Sequence, residues 1–311
     1  MKAIVNVFVI AGLVLVIPST TPAGTIYWTP AHELAPQGYS SKMAAGDLDG
    51  NGCVDLMLFS FDPIYHYWNT GTPSAPAWEL DLTVHGGVTY CSHRAGGLGD
   101  VDGDGDLDLA VGCYYEEHTR FYWNRGTPLV PAWELDMSLL SHITKFTSDT
   151  GPRFADMDAD GDLDLLIGFG AGRVWYAANT GTQTSPLYTD VGWIGGIPYA
   201  NGGRPSIAVG DLDGDGDLDI VRVTFDTQPE CFENVGTPEQ FEFVENSDML
   251  EGVHTSRITG AAGVELVDID ADGDPDMILA VGIGDENLLF LNGGATPVER
   301  TSWGVIKAMY R

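Results

Sequence analysis

The chain has 311 residues and a formal net charge of −31, set by 45 Asp and Glu against 14 Lys and Arg. So acidic a chain has little with which to neutralise a phosphate backbone, which excludes nucleic acid as a partner. A hydrophobic content of 44%, with 8 Trp, 12 Tyr and 12 Phe, excludes a disordered chain, and 40 Gly announce many turns.

At the N-terminus, Lys2 precedes an apolar run from Ala3 to Ile17 interrupted only by Asn6, and Pro18, Pro22 and Gly24 follow. A charged start, an apolar stretch and small residues at Thr21 and Ala23 predict a secretory signal peptide over residues 1–23, cut before Gly24. The run is shorter than the ~18 residues a span needs, so no membrane span is expected after cleavage. The mature chain, residues 24–311, is expected to be secreted or periplasmic and monomeric. Export permits disulfides. Cys53, Cys91, Cys113 and Cys231 allow three connectivities. Cys91 and Cys113 flank one loop and form the pairing singled out; free buried thiols are the alternative. Their spacings match no zinc site.

One nine-residue pattern then occurs five times. Its first copy has Asp47, Asp49, Asn51, Cys53 and Asp55 at positions 1, 3, 5, 7 and 9. The second has Asp100, Asp102, Asp104, Asp106 and Asp108, and the third Asp156, Asp158, Asp160, Asp162 and Asp164. The fourth has Asp211, Asp213, Asp215, Asp217 and Asp219, and the fifth Asp268, Asp270, Asp272, Asp274 and Asp276. The starts are 53, 56, 55 and 57 residues apart, a repeat architecture. Alternate residues of a curled loop aim oxygens at one centre. Position 6 is always Gly (Gly52, Gly105, Gly161, Gly216, Gly273), as a sharp turn with positive φ requires. Position 7 varies, as expected of a residue that offers only its carbonyl. The set is a hard-oxygen cage for up to five Ca²⁺, with Mg²⁺ second choice. The first copy, with fewest acids, is expected to bind most weakly.

The loops are not EF-hands. Position 12 needs a bidentate Glu, and here it is Leu58, Val111, Ile167, Arg222 and Leu279. Each loop runs instead into a short apolar segment that reads as a buried strand, so its last Asp closes the cage from a strand start. The loops hold 23 of the 45 acids. Packing such carboxylates together without a cation is strongly unfavourable.

Between the loops, Tyr67-Trp68-Asn69-Thr70-Gly71-Thr72-Pro73 recurs as Tyr122-Trp123-Asn124-Arg125-Gly126-Thr127-Pro128, with looser copies at Asn179, Asn234 and Asn292. Asn and Gly suit the left-handed geometry of a turn. Pro76-Ala77-Trp78-Glu79-Leu80 recurs as Pro131-Ala132-Trp133-Glu134-Leu135, and a weaker copy, Pro30-Ala31-His32-Glu33-Leu34, precedes the first loop. About four short strands per ~55 residues describe a blade of an all-β propeller.

The Asp loops, their Asp-Leu-x-Val-Gly continuations and the Asn-Thr-Gly-Thr turns resemble the FG-GAP/VCBS repeat family, to which the integrin alpha-subunit propeller is related. The resemblance covers about residues 26–303. It implies a β-propeller with Ca²⁺ held by loop positions 1, 3, 5 and 9 and the carbonyl of position 7. Integrin-type propellers have seven blades. Here 288 residues follow the predicted cut, which at ~55 per blade favours five blades over six or seven. The early Pro30–Leu34 segment is placed to close the ring against the last repeat.

Catalytic patterns are sparse. The seven His form no His-Glu-x-x-His motif, and no Gly-x-Ser-x-Gly elbow occurs. His93-Arg94, Glu116-Glu117-His118 and Arg153 are the first places to look for a hidden activity. Trp68, Trp123 and Trp175 are placed at blade-equivalent positions, where they suit inter-blade packing better than sugar stacking, and Val111–His118 is a weak ligand candidate. The expectation is a non-catalytic adhesion or protein-recognition module with an extracellular protein or glycan ligand. A lectin-like propeller or a Ca²⁺-dependent polysaccharide lyase or hydrolase is the alternative.

Overall fold

The computed structural model describes residues 5–10, 13–18, 28–34, 42–59, 64–73, 76–82, 87–89, 95–113, 119–127, 130–143, 151–170, 172–200, 205–224, 228–253, 263–280 and 287–292. Within the predicted leader, β1 (Val5–Ile10) pairs with β2 (Leu13–Pro18) as a separate two-stranded sheet. No helix of the described residues is long and apolar enough to cross a membrane.

The repeat sets the rest. The first blade is β4 (Lys42–Gly46), β5 (Asp55–Phe59), β6 (Ile64–Asn69) and β7 (Trp78–Asp81). The second is β8 (Ala95–Gly99), β9 (Asp108–Gly112), β10 (Arg120–Asn124) and β11 (Trp133–Asp136). The third is β12 (Gly151–Ala155), β13 (Asp164–Phe169), β14 (Arg173–Asn179) and β15 (Tyr188–Trp193). The fourth is β16 (Ser206–Gly210), β17 (Asp219–Val223), β18 (Glu230–Asn234) and β19 (Phe243–Glu245), followed by a 3₁₀ turn at Ser247–Leu250. The fifth takes β20 (Gly263–Val267), β21 (Asp276–Ala280) and β22 (Asn287–Asn292) from the C-terminal side and β3 (Trp28–Leu34) from the N-terminal side. All neighbours in these four-stranded sheets are antiparallel.

The protein is therefore a five-bladed β-propeller, in agreement with the repeat arithmetic. The early segment closes the ring as expected: Trp28 pairs opposite Asn292 and Leu34 opposite Asn287. The first strand of each blade touches that of the next, and β20 returns to β4. Five apolar clusters fill the five blade-to-blade interfaces. One joins Met57 and Phe59 to Leu109 and Tyr122, and another joins Met43 and Leu56 to Ile278 and Leu289. Second strands are sandwiched on both faces, which is why Asp55–Phe59 and Asp108–Gly112 are buried throughout despite their acidic starts. Each blade keeps its own edges, but they are short, and the first strand of every blade turns its edge to the protected axis.

Three of the four cysteines fall in described segments. Cys113 is disulfide-bonded, whereas Cys53 and Cys231 are free and buried. Cys91, its expected partner, lies outside the described residues, as do His93, Arg94, Glu116, Glu117 and His118.

Candidate metal centre

Each Asp loop connects the first strand of a blade to the second, so all five open on one face of the ring. Position 6 Gly takes φ between +83° and +98° in every loop, a conformation that penalises a side chain. The loop then curls around its first carboxylate. The position 6 N–H donates to position 1 in all five copies, at 2.8 Å for Gly52 to Asp47 and 3.1 Å for Gly105 to Asp100. Position 5 accepts the N–H of position 7, as Asp160 does from Asp162 at 3.1 Å.

The position 9 Asp does something the sequence pattern does not announce. One oxygen accepts the N–H of loop position 2, as Asp55 does from Leu48 at 3.0 Å. The other accepts the N–H of the Asn that opens the Asn-x-Gly turn, as Asp55 does from Asn69 at 2.7 Å. The same pair of bonds occurs at Asp108, Asp164, Asp219 and Asp276. Each of these carboxylates thus ties the Asp loop to the turn beside it. Burial pushes them up, to about 7 for Asp55, Asp108 and Asp219, about 6 for Asp164 and about 8 for Asp276, although the backbone donors pull the other way.

Carboxylates from each loop converge so that one oxygen from each of three lies within 4.8 Å of the others. The triads are Asp47, Asp49 and Asp55; Asp100, Asp102 and Asp104; Asp156, Asp158 and Asp160; Asp211, Asp213 and Asp219; and Asp268, Asp270 and Asp276. Asn51, Asp108, Asp164, Asp215 and Asp272 lie in the same loops outside these triads, as do the position 7 residues Cys53, Asp106, Asp162, Asp217 and Asp274. The donors are hard oxygens, and one buried oxygen each of Asp102 and Asp158 accepts no hydrogen bond. That combination fits a hard divalent cation. Burial and neighbouring carboxylates raise the Asp158 and Asp213 carboxyls, the strain a cation would relieve. Loop 2 differs in one respect: Arg125 Nη1 sits 2.9 Å from Asp102 Oδ2, so a guanidinium already occupies an oxygen that a cation would use.

Arg153, weighed as a catalytic candidate, is instead buried at the ring axis. Its guanidinium donates to the carbonyls of Gly96, Pro152, Met43 and Val264 and pairs with Glu265 at 2.7 Å. Lys42 crosses to the Pro205 carbonyl at 3.1 Å. The axis is a charged plug joining all five blades. Trp68 and Trp123 are half-buried and donate their indole N–H to Asp81 and Asp136. Trp175 is buried but sits three residues earlier in its strand, where the repeat's own position is Ala178.

The FG-GAP-like repeat model matches residues 100–167, 156–222 and 211–279, and the chain belongs to that family. Integrin alpha-X of Mus musculus is 26% identical over 170 residues, which are 48% of this chain and 14% of that one. The chain therefore spans only a small part of that relative's length. A fructofuranosidase from Schwanniomyces occidentalis superposes with a TM-score of 0.56 at 8% identity, covering 84% of this chain and 58% of that one, which speaks to fold alone. An Agrocybe aegerita lectin that recognises terminal N-acetylglucosamine gives 0.41 at 17% identity, covering 83% and 72%.

Proposed function

We propose that the chain is a secreted, calcium-binding propeller that serves as a non-catalytic recognition module for an extracellular protein or glycan. The observation that carries the metal reading is the convergence of three carboxylates in each of five equivalent loops. Calcium there would draw together positions 1, 3, 5 and 9 and the position 7 carbonyl, and would cancel up to ten of the charges on a face that holds about half of the acids. Its role is structural, because each loop joins the first two strands of a blade and its last Asp is bonded to the neighbouring turn. The leader-like N-terminus and the disulfide at Cys113 support an oxidising, extracellular setting. The integrin relative supports recognition rather than turnover.

Thermal unfolding of the mature protein in chelator, in millimolar Ca²⁺ and in millimolar Mg²⁺ tests the metal reading. Each site at a hundred times its dissociation constant adds about 2.7 kcal/mol, so a large rise confined to Ca²⁺ is expected. No rise would reduce the loops to acidic turns, and an equal rise with Mg²⁺ would overturn the choice of calcium in favour of an unselective divalent-cation site.

A further inference from the structure

The repeat supplies a baseline, and the third blade departs from it. In the first two blades the outer strand has four residues and ends at Asp81 or Asp136, each bonded to an indole. In the third, Val191 stands in that Asp position and the strand runs on to Trp193. Asp190 pairs opposite Ala177 and Gly192 opposite Tyr176, so Val191 is an extra, bulged residue, and Gly192 takes φ +120°. Such bulges re-aim the side chains that follow. Here the bulge brings Trp193 opposite Trp175, ring to edge at 4.8 Å, and leaves Trp193 37% exposed. This end of the blade lies opposite the metal loops.

Beside Trp193 two backbones are clamped together. Arg222, fully buried and paired with Glu230 at 2.9 Å, donates to the carbonyls of Gly172 at 2.6 Å and Pro198 at 2.7 Å. Gly172 has φ +77°, and a Cβ there would lie 2.5 Å from Ala200. The next residue after each clamped carbonyl is therefore held beside the other: Arg173 and Tyr199. The Arg173 guanidinium lies 4.2 Å from the Trp193 ring centre and 5.1 Å from that of Tyr199, and donates to the Tyr199 hydroxyl at 3.2 Å. Tyr199 is 70% exposed.

Arg125, Arg153 and Arg222 each pair with a carboxylate. Among the described residues Arg173 pairs with none, in a chain with 45 acids. Its stacking on aromatic rings orients a planar fork of donors that matches a carboxylate, and the exposed tyrosine ring offers an apolar face of sugar-ring size. A net charge of −31 repels a polyanion but tolerates one charge at short range. We infer that Arg173, Tyr199 and Trp193 form a binding site for a single terminal acidic sugar such as a hexuronate. This names a ligand for the recognition role proposed above and rests on that reading; calcium dependence of stability is read separately, so either can fail alone.

The test is titration of the full-length mature protein, saturated with Ca²⁺, by tryptophan fluorescence and calorimetry. The probes are methyl glucuronide, methyl glucoside, acetate and a polyuronate oligomer. The glucuronide is expected to bind in the millimolar range or tighter and to perturb tryptophan emission, with the glucoside, acetate and the oligomer each weaker. Arg173→Lys, which keeps the charge but loses the fork, and Tyr199→Ala should each weaken glucuronide binding by about tenfold or more, with unfolding temperatures near that of the parent because both side chains reach solvent. Equal binding of glucoside and glucuronide, displacement by equimolar acetate, tighter binding of the oligomer, unchanged affinity in Arg173→Lys, or no binding at all would overturn the assignment.

Discussion

A carboxylate or amide oxygen has room for two donors, and the blades use that capacity at a position whose importance the acidic pattern hides. Asn124 is buried, and its Oδ1 accepts the N–H groups of Gly126 at 3.2 Å and Ala132 at 3.0 Å. Asn69, Asn179 and Asn234 repeat the arrangement. The backbone of the same residue donates to the last Asp of the acidic loop, so one Asn serves turn and loop together. Asn124→Ala removes the acceptor of both bonds and is expected to cost about 2–3 kcal/mol, since two backbone donors lose their partner. Urea unfolding checks this, and calcium stoichiometry should be unchanged. A cost below about 0.5 kcal/mol would show that water replaces the amide. The convergence of carboxylates in each loop was legible because acids alternate around an invariant Gly. The Asn was legible only as a turn former, because its side chain works across eight residues to Ala132. Arg173 and Arg222 carried a weaker signal: Arg222 interrupts the apolar run Asp219–Val223.

At the scale of the blade, the ring demands that first strands approach closely at the axis, and glycine supplies the room. A Cβ on Gly97 would lie 2.4 Å from the Pro152 carbonyl oxygen of the next blade, and one on Gly96 would enter the Phe59 ring at 2.1 Å. Gly97→Ala must therefore push a backbone rather than a flexible side chain. It should destabilise by about 1–3 kcal/mol, the range for overpacking. Gly105→Ala meets no atom within 4 Å but sits at φ +93°, and should cost about 1 kcal/mol from the backbone alone. Parallel denaturant curves separate the two, and equal losses would mean that inter-blade distance does not limit Gly97. The blade unit itself could be read from the sequence wherever the turn repeats closely, at Asn69 and Asn124. It was misregistered in the third blade, where Trp175 was grouped with Trp68 and Trp123. The bulge at Val191 is a pairing event between strands, and residue order within one strand does not reveal it.

For the whole molecule, the period of the Asp loops and the displaced Pro30–Leu34 copy made both blade number and closure readable, because each is a property of spacing. The axis was not, since Arg153 and Glu265 are 112 positions apart and meet only when the ring shuts. Charge also acts at this scale. The −31 charge is spread unevenly, with 23 of 45 acids gathered in loops on one face. Without a cation these loops repel themselves and one another, and mobile ions must screen them. Raising salt from ~0.01 to ~0.1 M shortens the screening length from about 30 to about 10 Å. In chelator this should raise the unfolding temperature by several degrees, because repulsion between neighbouring loops is reduced. With calcium bound, up to ten charges are cancelled within the loops, and the same change of salt should have a markedly smaller effect. Scans of unfolding temperature against salt, with and without Ca²⁺, measure the difference. Parallel slopes would mean that calcium does not neutralise the loop face, and would count against loop occupancy even if calcium raised stability by another route.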